Sequence, residues 1–148
     1  MFTDIITYTD FDGNPQKEEV RLNLTKPECK ELDLKYEAEG GIFQHLKNLI
    51  GDKKGADIPQ KPMYDFLIEI IEVAYGRKSD DGRRFIKKNP DGSKLSYEFM
   101  DSACCAKFIE MILSDEIDLD KFINSVFPEV PEADRKKAEA QAKAEFGI

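Results

Sequence analysis

Three acid-and-glycine clusters are the first places where this 148-residue chain could do chemistry: "DFDG" at 10–13, "SDDG" at 79–82 and "NPDG" at 89–92. A helix–loop–helix calcium site needs acids at loop positions one, three and five, glycine at six and glutamate at twelve. With Gly82 sixth, the leading residue is Arg77, which repels a cation. With Gly92 sixth, Glu98 takes the twelfth place but Lys87 leads. With Gly13 sixth, Asp10, Asp12 and Glu19 fall suitably, but Tyr8 leads and strand-like sequence flanks the loop. All three fail at the first ligand, so we expect turns and no metal site.

Other chemistry is equally thin. His45 is the sole histidine, inside a short apolar-periodic segment, with no plausible nucleophile and carboxylate relay around it. A packed structural histidine is the better reading. Neither GxxxxGK[ST] nor GxGxxG occurs, so no phosphate cradle is written in the chain. Acid pairs such as Glu18-Glu19, Asp80-Asp81 and Glu116 with Asp118 arise by chance among 30 acids, and none sits in an apolar run that would split two carboxyl pKa values. Cys29, Cys104 and Cys105 are odd in number and lack CxxC spacing, which excludes a disulfide framework or zinc site. The adjacent pair lies in an apolar helical run, where thiols pack as small hydrophobes. We expect no enzyme, no catalytic residue and no cofactor.

The elements follow from periodicity. "FTDIITYTD" alternates with β-branched and aromatic residues, Asp12-Gly13 signals a turn, and "KEEVRLNLT" alternates Val20, Leu22 and Leu24 with polar neighbours. That predicts a β-hairpin over 2–24, which needs a second layer to be stable. Thr25, Pro27 and Glu28 spell a helix N-cap with its capping box. That helix is expected to end at Gly40-Gly41, followed by a short amphipathic helix over 42–50 and a polar loop "DKKGADIPQKP". In "MYDFLIEIIEVAY", residues 63–75, the charges Asp65, Glu69 and Glu72 form one stripe and the rest is apolar, so this helix is either central in the fold, the favoured reading, or covered by a partner. "LSYEFMDSACCAKFIEMIL" reads as one long helix and "DLDKFINSVF" as a clean amphipathic one stopped by Pro128. Residues 131–148 are Ala-rich, charged all round and read as a tail. The expected fold is mainly α with an N-terminal β-hairpin (α+β): one domain over 1–130, with a bundle of about five helices at 26–127.

Charge adds a partner class. The net charge of −8 argues against a duplex-DNA binder and suits a protein kept in solution by self-repulsion. "MFTDIITYTD" lacks a signal peptide's basic start and apolar core, and no apolar run reaches the ~18 residues of a membrane span. We therefore expect a soluble protein of a reducing compartment. Against this acidic background, residues 77–94 carry seven basic and three acidic residues. Two readings stand: a solvated loop partly paired with the chain's own acidic helices, or a docking surface for an acidic partner or a neighbouring subunit's acidic face. Nucleic acid comes third, because only Phe85 interleaves with the bases.

The stretch "YGRKSDDGRRFIKK" at 75–88, between a long apolar helix and an aromatic-rich one, resembles the tail assembly chaperones of long-tailed bacteriophages. Tyr75, Gly76, Ser79, Asp81, Gly82, Phe85 and Lys87 match a YGxxSxDGxxFxK-like pattern, and Lys121, Phe122, Ile123 and Pro128 fit the AxFIxxxxP-like helix that follows in the family. "TDIITYTDFDGN" and "NLTKPECKELDL" are similar to the family's hairpin and first helix, so the likeness spans about residues 2–128. The chain departs by inserting "NPDGSK" before its "S-x-E" helix start and by carrying Cys104-Cys105. The resemblance implies a non-enzymatic protein of the host cytoplasm, in phage or prophage, that is absent from the finished virion. It would coat the tape measure protein, help recruit major tail tube subunits and self-associate, without nucleic-acid or membrane partners. Many relatives also have a longer product made by a −1 frameshift. A holdase needs apolar grooves and net charge, which nominates Phe66, Ile70, Phe122, Ile123 and Phe127 on two helices, with Arg77, Lys78, Arg83, Arg84 and Phe85 in the basic stretch, as partner-binding residues. A different class, an acidic inhibitor that mimics nucleic acid, would need an uninterrupted acidic face, and the basic stretch interrupts it.

Overall fold

Alternating side chains make the first element, and the helices are needed to cover it. In the computed structural model, which describes residues 1–53 and 57–128, strands β1 (Phe2–Thr9) and β2 (Pro15–Leu22) pair antiparallel with Phe2 opposite Leu22 and Thr9 opposite Pro15. Phe2, Ile6, Val20 and Leu22 point inward and are buried, while residues 15–19 are exposed on both faces. The turn end of the hairpin is exposed, with Phe11 at its tip 83 % exposed, while Tyr8 still packs against the core.

Helix α1 (Lys26–Lys35) starts at the predicted capping box: the Thr25 hydroxyl accepts from the Glu28 amide while the Glu28 carboxylate accepts from the Thr25 amide. It stops earlier than the double glycine suggested. Tyr36 ends it and one 3₁₀ turn (Glu37–Glu39) leads to Gly40. Helix α2 (Ile42–Ile50) follows as expected, its first amide held by the Asp33 carboxylate at 3.0 Å.

Helix α3 (Gln60–Ala74) is central. Met63, Phe66, Leu67, Ile70, Ile71 and Ala74 are buried, and its charged stripe faces out to Lys61, Lys35 and Lys94. It begins three residues before the expected start. Pro62 sits in the first turn, where no intrahelical acceptor awaits its missing N–H.

A second correction concerns residues 95–113, which form two helices, α4 (Leu95–Met100) and α5 (Ala103–Leu113). Between them the Ser102 hydroxyl accepts from the Cys105 amide, so the apolar run is broken by a new N-cap that periodicity alone passes over. Helix α6 (Leu119–Val126) is capped by Asp118 and closes the described chain before Pro128. Its last turn is tied to the hairpin's exit by Leu24 N–H to Val126 O at 2.9 Å.

The described residues thus hold six α-helices packed on a hairpin, an α+β fold that is mainly helical. Phe2, Phe108 and Phe122 meet at its centre with ring centroids 5.2–5.8 Å apart. Fully burying each such ring is worth about 1.5–3 kcal/mol. Helix α5 covers β1, and α3 lies between α4, α5 and α2. No described helix is long and apolar enough to cross a membrane. The tail at 131–148 lies outside the described residues.

Candidate functional site

The basic stretch is built as a ribbon. Strands β3 (Arg77–Lys78) and β4 (Phe85–Ile86) pair antiparallel, Arg77 opposite Ile86 and Lys78 opposite Phe85. The "SDDG" cluster makes their turn. Gly82 N–H reaches Ser79 O at 3.0 Å, and Asp81 Oδ1 accepts from the Ser79 hydroxyl at 2.7 Å and the Arg83 amide at 3.0 Å. Gly82 sits at φ +74°, a conformation that strongly favours glycine. "NPDG" repeats the scheme, with Asp91 Oδ1 accepting from the Ser93 hydroxyl at 2.6 Å and its amide at 2.9 Å. In the first cluster Asp10 Oδ1 takes the Asp12 and Asn14 amides. The acids that mimic a calcium loop are thus occupied in closing turns. Hydrogen bonds from the Ser79 and Ser93 side chains, with the backbone amides, hold the Asp81 and Asp91 carboxyls below the usual aspartate range, and the Gln16 amide does the same for Asp10. Among the described residues no three His, Cys, Asp or Glu converge to hold a metal.

Three contacts fasten the ribbon to the body. The Tyr75 ring stacks on Phe99 with centroids 4.1 Å apart and planes at 6°. Gly76 N–H reaches Arg21 O at 3.3 Å, beside an isolated bridge between Leu22 and Tyr75. Lys87 Nζ donates to Asn23 O at 2.6 Å and to Glu28 Oε1 at 2.5 Å, joining the ribbon to the capping box of α1. Burial alone would raise the Glu28 pKa, but the bonds from Lys87 and Thr25 outweigh it and hold the carboxyl below its usual range. At the ribbon's exit Lys94 pairs with Glu72 at 3.2 Å and the buried Ser96 hydroxyl donates to Glu72 O at 2.8 Å.

The structure matches a solvated loop partly paired with the chain's own acidic helices. Lys87 and Lys94 are paired with acids of α1 and α3. Arg77, Lys78, Arg83, Arg84 and Lys88 are exposed and form no ion pair among the described residues, with Phe85 half-buried between them. The other five nominated residues lie elsewhere: Phe66, Ile70, Phe122, Ile123 and Phe127 are all in the hydrophobic core, each less than 9 % exposed. Periodicity marks a buried face without saying what buries it, and here α3 and α6 are buried by the chain itself.

Sequence reasoning missed the open apolar groove of ≈ 440 Å³ between the start of α3 and the end of α5, lined by Gln60, Tyr64, Ala106, Ile109, Glu110, Leu113 and Ser114. Its one sequence signal is Tyr64, an aromatic placed off the buried stripe. The lone histidine is structural: its ring stacks on Tyr36 at 4.0 Å and its Nδ1 lies 2.9 Å from Glu39 Oε2. Tyr36 in turn donates to Glu69 at 2.8 Å.

A family model described as phage tail assembly chaperone matches residues 1–146. The chain belongs to that family. No curated protein and no solved structure matches it. The ribbon explains why the family-like spelling of residues 75–87 holds together in this chaperone. Tyr75, Ser79, Asp81 and Lys87 each make a contact that builds or fastens the ribbon; Gly82 supplies the left-handed turn, and Gly76 leaves room for the close approach of Phe85 and Ile86.

Proposed function

We propose that this tail assembly chaperone binds the tape measure protein, a long helical chain prone to aggregation, and keeps it in solution while helping to recruit tail tube subunits. It works in the host cytoplasm, on phage or prophage tails, in several copies, and leaves before the virion is complete. It acts by binding rather than by turnover. The observation that carries the reading is the family match over nearly the whole chain.

The geometry supports a binding role. Five cations with no ion pair among the described residues stand on a ribbon fixed at three points, so a partner's acidic surface would meet them at little cost in ordering. Among the ten nominated side chains, Arg77, Lys78, Arg83, Arg84 and Phe85 are those placed to make contacts. Phe66, Ile70, Phe122, Ile123 and Phe127 serve by holding the core that supports them.

Co-expression with the tape measure protein tests this. The soluble fraction of the tape measure protein should rise several-fold when the chaperone is present. An unchanged fraction refutes the holdase reading.

A further inference from the structure

We propose that the acidic surface taken by the basic ribbon is the α5–α6 turn of a second copy of this chain, so that copies associate head to tail. The proposal rests on the reading that the chaperone self-associates, and it assigns the two surfaces that would meet.

The molecule is electrically polar along α3. Leu113 and Ser114, at the end of α5, line the same groove as Gln60 and Tyr64, so the α5–α6 turn lies at the N-terminal end of α3. That turn, residues 114–120, carries Asp115, Glu116, Asp118 and Asp120, four acids beside the single exposed base Lys121 that follows it. Asp115, Glu116 and Asp118 are exposed, and Asp115 and Glu116 have no ion pair among the described residues. The nearest lysine on α3, Lys61, is taken by Asp65 at 2.5 Å.

The ribbon occupies the opposite end. It starts at Arg77, directly after α3 ends at Ala74, and its fastenings to Arg21, Asn23 and Glu72 surround that same end. A 15-residue helix is roughly 22 Å long, about two Debye lengths at 0.1 M salt. The two patches cannot neutralise one another within one copy. Each can be neutralised by the opposite pole of another copy, whose exposed charges are of the complementary sign. Contact between different patches is heterologous, so it leaves a free pole at each end and propagates into a ring or an open helical array.

Sedimentation velocity of the full chain across a salt series reads the contact. Wild type should associate at low salt and dissociate as NaCl rises. Arg83→Glu with Arg84→Glu, and separately Asp115→Lys with Glu116→Lys, should each weaken association by at least roughly tenfold. An equimolar mixture of the two reversed proteins should associate again, because the poles then complement between variants. Circular dichroism of each variant confirms folding before the comparison. If both variants associate like wild type, the assigned surfaces are wrong while self-association stands. If wild type stays monomeric at every salt and concentration, self-association falls and the surfaces with it.

Discussion

The Phe85 ring lies against the backbone of Gly76 so closely that a Cβ there would stand 2.6 Å from Phe85 Cε1 and 2.7 Å from Ile86 O. One of those neighbours is backbone and cannot swing aside. Replacing Gly76 with alanine must therefore push β4 away from β3 or distort the end of α3. We expect Gly76→Ala to lower stability by about 1–3 kcal/mol, as overpacking does in tight sites. Phe85→Ala added to it should recover only part of that loss, because the Ile86 carbonyl remains. Urea melts of the single and double variants measure both; a Gly76→Ala protein as stable as wild type refutes the contact.

Lys87 is the bolt between ribbon and body. Its ammonium and the Glu28 carboxylate are both mostly shielded, at 19 % and 25 % side-chain exposure. Lys87→Met should cost about 1.5–3 kcal/mol, the usual worth of hydrogen bonds to charged groups. The pH dependence gives a second reading. Because the folded Glu28 pKa is held down, its contribution is present above the ordinary glutamate range and is lost as pH falls through the folded value. Wild type should thus lose stability below about pH 4.3, and Lys87→Met should lose less over the same interval. Parallel stability–pH curves would rule the bolt out.

The turn acids should titrate low. Asp10, Asp81 and Asp91 accept their hydrogen bonds more strongly as carboxylates than as neutral acids, so folding lowers their pKa values. Their stabilising effect is present above the ordinary aspartate range and fades as pH falls below about 4. Carboxyl carbon shifts followed by NMR should give midpoints below those of the unfolded chain in urea. Asp81→Ala should speed amide exchange at Arg83 and leave the core amides unchanged. Midpoints equal to the unfolded values would remove the turn role.

Local signals carried most of the fold. Thr25 with Glu28, the alternation of residues 2–9 and the spacing of Leu119, Phe122, Ile123 and Val126 each fix geometry within one or two turns of chain, and each element stands where they put it. The break at Ser102 was harder to read. Its N-cap competes with an apolar run that continues through it, and only the Asp101-Ser102 pair marks it. The strands of the ribbon are two residues long, too short for any period to register. For the nominated residues, the exposure of Arg77, Lys78, Arg83 and Arg84 was legible because charged side chains stay on the surface. The apolar nominees were not, since a helix face looks the same whether a partner or the chain's own Phe2, Phe43 and Phe108 cover it.

The cysteines offer a last check, because their chemistry depends on the packing of α5. Burial pushes the Cys104 thiol up to about 12 and the Cys105 thiol up to about 11, and both side chains are closed off from solvent. The thiolate is the nucleophile, so both should be inert in the folded protein at pH 8. Cys29 is half-buried at the start of α1 and should react first. Ellman's reagent should report one accessible thiol in the native chain and three in guanidinium, and Cys29→Ser should abolish the native signal. The linkage runs the other way from the acids: with folded pKa values raised, the pair stabilises below the ordinary thiol value of about 8.5, and that stability is lost as pH climbs toward 11–12. Alkaline melts of wild type and a Cys104→Ala, Cys105→Ala protein separate this from general base denaturation, since the double variant should lose less stability between pH 9 and 11. Rapid labelling of two or more native thiols would show that α5 does not shield them.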